Sequence, residues 1–153
     1  MLSSEPPLLI ADEPTTALDV SVQAQVLMLL KDLVVKKNSS VLLITHDMSV
    51  ISETCDRVGV MYAGDIVEVG KVEEVIFNPQ HPYTRGLMQA IPSEETKELK
   101  GIPGTVPDLV SPPPGCRFHP RCPHAMDICR IKKPHLTQVS DTHSVSCYLY
   151  DSQ

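Results

Sequence analysis

Eleven of the fourteen prolines fall at or after position 79, and this skew limits the architecture more than any other feature. Proline lacks a backbone donor and fixes φ, so a chain rich in it turns or extends and forms few regular elements. The first half, with three prolines, is left to supply the helices and strands. The chain therefore divides into residues 1–77, an ordered part, and 78–153, an irregular extension that opens at Asn78-Pro79-Gln80-His81-Pro82.

Within the ordered part, Leu8-Leu9-Ile10-Ala11 is an unbroken apolar run ended by Asp12-Glu13-Pro14, as expected of a central strand covered on both faces. From Ser21 to Lys37 the apolar residues at 22, 26, 29, 30, 33 and 34 follow the helical period, and Lys36-Lys37-Asn38 suits the negative end of a helix. Val41-Leu42-Leu43-Ile44 reads as a second buried strand, followed by Thr45-His46-Asp47 and a short helix near 48–55. Arg57 to Ala63 and Asp65 to Val69 read as strands joined at Gly64, with a helix near 71–77. Strand, helix, strand, helix, strand predicts an α/β fold with a parallel sheet. In the extension a helix is expected around Tyr83 to Ala90, stopped by Ile91-Pro92; residues 92–115, with six prolines and three glycines, read as a linker or irregular wrap. The tail from Cys116 to Tyr150 has little apolar content and is expected to depend on its cysteines for order.

Charge and hydropathy exclude whole classes of function. Thirteen basic and nineteen acidic residues give a formal charge of -6, and no Lys/Arg block exceeds two residues, which argues against nucleic acid as a partner. No apolar run approaches the roughly 18–20 residues of a membrane span, and the start carries no signal-peptide pattern. The expected compartment is the cytosol.

Two constellations carry chemistry. In the first, Asp12-Glu13 stands at the carboxyl end of one strand and His46 at the same end of the next. Ligands of open α/β sheets bind there, so two carboxylates and an imidazole could hold Mg²⁺, orient a water and contact a phosphate. The competing reading is that they only polarise strand ends and cap turns. Asp19 likewise precedes the helix at Ser21, where Asp is a good N-cap. In the second constellation, Cys116, Cys122, Cys129 and Cys147 offer four thiolates suited to a soft metal, and a reducing compartment favours a metal site over disulfides. Spacings of five, six and seventeen residues between them match neither common zinc ribbons nor bacterial ferredoxins. His119, His124, His135 and His143 are possible substitute ligands, with His119 beside Pro120 better read as a turn residue; Cys55 reads as core filler.

The segment Leu8-Leu9-Ile10-Ala11-Asp12-Glu13-Pro14-Thr15-Thr16-Ala17-Leu18-Asp19 resembles the Walker B strand and D-loop of ABC transporter nucleotide-binding subunits, and Ile44-Thr45-His46-Asp47 resembles their switch-histidine loop. Asn78-Pro79-Gln80-His81-Pro82-Tyr83-Thr84-Arg85-Gly86-Leu87 and Gly115-Cys116-Arg117-Phe118-His119-Pro120-Arg121-Cys122-Pro123 resemble the C-terminal extension of the ATP-binding subunits of oligopeptide/dipeptide importers. By that resemblance Asp12 would hold the Mg²⁺ of ATP, Glu13 would orient the attacking water and His46 would contact the γ-phosphate. Asp19 would address the partner site across a dimer interface. The resemblance further implies pairing with a second ATPase subunit, docking on two membrane permeases at the cytoplasmic face, and uptake of peptides delivered by a binding protein; some relatives carry nickel complexes. It also associates the four cysteines with a four-iron four-sulfur (4Fe–4S) cluster, ranked here above Zn²⁺.

The departures count as well. No Gly-x-x-x-x-Gly-Lys-[Ser/Thr] loop, Gln-loop or Leu-Ser-Gly-Gly signature occurs. Residues 1–6 would correspond to the end of the helix after that signature, and the chain is expected to be the C-terminal half of a longer protein. In relatives the phosphate-loop strand lies between the switch strand and the strand near Val58 to Met61, so a gap in the sheet is expected. The chain alone is then expected to bind ATP weakly or not at all and not to hydrolyse it. The leading expectation is the C-terminal portion of a peptide-importer ATPase subunit. The alternative is a metal- or redox-sensing regulatory module with a vestigial ATPase half; P-loop ATPases of DNA repair lack a counterpart of the tail.

Overall fold

A computed structural model describes residues 7–91 and 101–151. Residues 1–6, compared above with the end of a helix, and 92–100 of the expected linker lie outside the described residues. The chain forms two compact units, Met1–Cys55 and Asp56–Gln153.

The first unit contains β1 (Leu8–Asp12), α1 (Val20–Lys37), β2 (Ser40–Ile44) and α2 (Met48–Thr54). β1 and β2 pair in parallel, Leu8 opposite Ser40 through Asp12 opposite Ile44, so both strands end their pairing at the same level. A parallel pair needs a crossover, and α1 supplies it. Asp19 caps α1 by accepting from the Val22 amide at 2.9 Å, and Asn38 ends it in the left-handed conformation at φ 49°. Asp47 caps α2, accepting from the Ser49 amide at 2.9 Å.

The strands were expected to be covered on both faces. Instead Leu8, Ile10, Leu42 and Ile44 are exposed, and Leu27 is the only fully buried described residue of α1. A parallel sheet is ordinarily covered by layers on both sides, and two strands with one crossover helix leave a face open.

The second unit contains β3 (Arg57–Tyr62), β4 (Asp65–Lys71), α3 (Val72–Phe77), α4 (Pro82–Gln89), α5 (Asp127–Ile131), β5 (Thr137–Gln138) and β6 (Ser144–Val145), with a 3₁₀ turn at His119–Arg121. Its sheet runs in the order β3-β4-β6-β5. All its pairings are antiparallel, so among the described residues the expected parallel pairing is found between β1 and β2 alone. The reason is local: Ala63 (φ 50°) and Gly64 (φ 85°) form a two-residue connection, which can only reverse the chain.

The extension is anchored more firmly than its composition suggested. Phe118 is buried, with its ring centroid 5.1 Å from that of Tyr62 and 5.5 Å from that of Tyr83. β6 pairs with β4 and buries Val145. No described helix is long and apolar enough to cross a membrane.

Candidate functional site

The parallel pairing of β1 and β2 brings two distant sequence positions together. Ile44 accepts a hydrogen bond from the Glu13 amide at 2.8 Å, extending the ladder one residue past β1. Beyond that bond the side chains meet: His46 Nδ1 lies 3.2 Å from Glu13 Oε1. Asp12, the last residue of β1, stands opposite Ile44, and Asp12, Glu13 and His46 are all solvent-exposed. The expected convergence of Glu13 and His46 is therefore present, with Asp12 at the adjacent register position.

The loop after β1 is folded on itself. The Thr16 amide donates to the Glu13 carbonyl at 3.1 Å, closing a turn with Pro14 at its second position, where the fixed φ is favourable. A second turn follows, the Leu18 amide donating to the Thr15 carbonyl at 3.2 Å. Glu13 (φ 45°) and Ala17 (φ 62°) occupy the left-handed region, uncommon for side-chain-bearing residues and frequent where function dictates backbone shape. The Thr16 hydroxyl donates to Glu13 Oε2 at 3.0 Å. This bond and the contact with His46 favour the ionised carboxylate and hold Glu13 below its ordinary range. Thr16 was not singled out from the sequence, although its i+3 spacing across a proline turn was the available signal. Asp19 lies further along as the α1 cap, engaged with its own helix.

The cysteines converge in the second unit. Cys116, Cys122, Cys129 and Cys147 line one narrow cavity together with His81, His124 and Tyr148. A backbone bond links two of the segments: the Cys116 amide donates to the Cys129 carbonyl at 2.8 Å. Burial pushes the Cys116 and Cys122 thiols up, and the Cys147 thiol up to about 11. Among the described residues no group of three or more His, Cys, Asp or Glu side chains is gathered to hold a metal ion, so the expected cluster or zinc centre is not preformed. The thiols border the cavity without the close mutual grouping that a shared metal ion requires.

Of the substitute ligands named above, His143 is committed elsewhere, its Nε2 lying 2.7 Å from Glu68 Oε1, and His119 Nδ1 lies 2.9 Å from the Cys116 carbonyl in the expected turn. Cys55 is the partly exposed C-cap of α2.

Residues 67–129 match the family described as the oligopeptide/dipeptide transporter, C-terminal region. A dipeptide transport ATP-binding protein of Bacillus subtilis (strain 168) is 51% identical over 154 residues, covering 99% of this chain and 46% of the relative. An oligopeptide transport ATP-binding protein of the same organism is 53% identical over 99% of this chain and 47% of its own length. A dipeptide transport ATP-binding protein of Escherichia coli (strain K12) is 43% identical over 96% of this chain and 46% of its own length. The chain thus spans about half the length of the curated relatives it matches. These comparisons lend no support to the sensing-module alternative.

Proposed function

We propose that the chain, which matches the oligopeptide/dipeptide transporter C-terminal region over residues 67–129 and is similar to dipeptide and oligopeptide transport ATP-binding proteins, forms the part of such a subunit that carries the hydrolytic residues of a peptide-importing ABC transporter. The observation that carries this reading is the 3.2 Å approach of His46 Nδ1 to Glu13 Oε1 at the carboxyl ends of two parallel strands. Residues 1–77 supply part of the nucleotide-binding domain and 78–153 the importer-type extension.

Phosphoryl transfer asks a protein mainly for positioning and charge stabilisation. Asp12, exposed at the end of β1, would hold Mg²⁺. Glu13 accepts a hydrogen bond from the attacking water and aims it in line with the terminal phosphate. His46, beside Glu13, donates to the γ-phosphate as charge develops there. Mg²⁺, where bound, would supply charge neutralisation on the triphosphate. The phosphate-binding loop comes from another stretch of polypeptide, Asp19 addresses the second ATPase subunit, and the pair docks on two permeases at the cytoplasmic membrane face. The substrate is a di- or oligopeptide handed over by a binding protein.

The four cysteines are a donor set suited to a 4Fe–4S cluster, and in second place to Zn²⁺. A second feature supports a guest in that cavity: the Tyr148 hydroxyl is buried and has no hydrogen-bond partner among the described residues. A bound cluster would supply a redox-active or structural centre there, held by Cys116, Cys122, Cys129 and Cys147.

The test is to assay ATP hydrolysis by this chain alone and after reconstitution with a separately expressed N-terminal half. Hydrolysis is expected only from the mixture and is abolished by Glu13→Gln. A mixture whose turnover survives Glu13→Gln overturns the reading.

A further inference from the structure

The Glu13 carboxylate is held from two sides. His46 Nδ1 stands 3.2 Å from Oε1, and the Thr16 hydroxyl donates to Oε2 at 3.0 Å. The second hold is built by the loop itself: the Thr16 amide bonds the Glu13 carbonyl, so the same three-residue separation that closes the turn delivers the hydroxyl to the carboxylate of the residue that opens it. Main-chain and side-chain bonds between the same two residues fix both the backbone and the rotamer of Glu13.

A carboxylate has about four lone-pair sites, so one hydroxyl and one imidazole leave sites for water. Which oxygen stays open is decided by the groups that occupy the others. We propose that Thr16 is a positioning residue for hydrolysis: its hydroxyl orients the Glu13 carboxylate toward the attacking water. This inference rests on Glu13 acting as the water-orienting group. Loss of the Thr16 hydroxyl leaves Oε2 without its donor and frees the carboxylate to rotate away from the water it orients.

Two side-chain changes separate the hydroxyl from the rest of Thr16. Thr16→Val removes the donor and keeps the shape; Thr16→Ser keeps the donor and removes the methyl. In the 153-residue chain, carbon NMR of the Glu13 side chain is expected to show rotamer averaging in Thr16→Val and the single parent rotamer in Thr16→Ser. In the complete transporter, Thr16→Val is expected to lower kcat with KM for ATP unchanged, and Thr16→Ser restores kcat. A Glu13 rotamer or a kcat in Thr16→Val equal to that of the parent overturns the inference. Hydrolysis that survives Glu13→Gln would instead sink the catalytic reading, leaving the NMR comparison to stand as a structural result.

Discussion

His143 Nε2 lies 2.7 Å from Glu68 Oε1, and both side chains are buried. Glu68 does more than meet this histidine. It accepts from the Gln80 amide at 2.7 Å and from the His81 amide at 2.9 Å, so one side chain on β4 ties down the Asn78–Pro82 segment and the turn before β6. Replacing Glu68 by Ala leaves His143 and two backbone donors unmatched in the interior. Breaking such a buried set costs on the order of 3–5 kcal/mol. Glu68→Gln is expected to cost less, because its single carbonyl oxygen can serve one amide. Denaturant unfolding of the parent and the two variants checks the order Ala, Gln, parent in rising stability.

His81 makes stability depend on pH. It is buried, and its Nδ1 accepts from the Tyr83 amide at 3.0 Å as the cap of α4. Burial depresses its pKa from 6.5 to about 4, against the pull of the Glu68 carboxylate. The folded state therefore resists a proton that the unfolded chain takes up, and stability present above about pH 6.5 is lost as pH falls toward 4. The full effect is on the order of 3 kcal/mol. Thermal melts between pH 7 and 4 are expected to fall less steeply for His81→Asn, which keeps a side-chain acceptor at the cap. Parallel slopes for parent and variant would contradict this.

The two halves of the molecule differ in how far their sequence discloses them, and the reason is range. Asp12, Glu13, Thr16 and Asp19 act through a strand end, a proline turn and a helix cap, each completed within a few residues, and His46 joins them because β2 pairs in register with β1. Glu68 and His143 are 75 residues apart, and neither neighbourhood marks its partner. Phe118 was quoted only inside a motif, yet it centres the aromatic packing with Tyr62, Tyr83 and His81. The antiparallel β3–β4 hairpin was legible in its Ala63-Gly64 turn, but the strand-helix alternation before it suggested a parallel continuation. Exposure of Ile10 and Leu42 could not be read from apolar runs, which report what a segment can bury and not what covers it.

Gly115 is a point of no tolerance. Its φ is +72°, and a Cβ there would stand 2.3 Å from the Cys129 carbonyl oxygen, the atom that accepts from the Cys116 amide. Gly115→Ala must push that carbonyl away and part Cys116 from Cys129, at a cost of about 1–3 kcal/mol for the backbone conformation alone. Iron, sulfide and zinc analysis of anaerobically purified protein is expected to show less bound metal in Gly115→Ala than in the parent, alongside a lower melting temperature. Equal metal content in both would show that this backbone bond does not assemble the thiols.

Asp19 has two possible duties that a pair of substitutions separates. As the cap of α1 it accepts from the Val22 amide at 2.9 Å, a bond that Asn can also accept and Ala cannot. Asp19→Ala is therefore expected to destabilise the chain by about 1 kcal/mol, and Asp19→Asn to leave its stability near that of the parent. Under the proposed function its carboxylate also addresses the second ATPase subunit, where a neutral amide cannot replace a charge. Asp19→Asn in the complete transporter is then expected to lower ATP turnover while its unfolding midpoint stays in place. Full turnover in Asp19→Asn would confine Asp19 to the helix it caps.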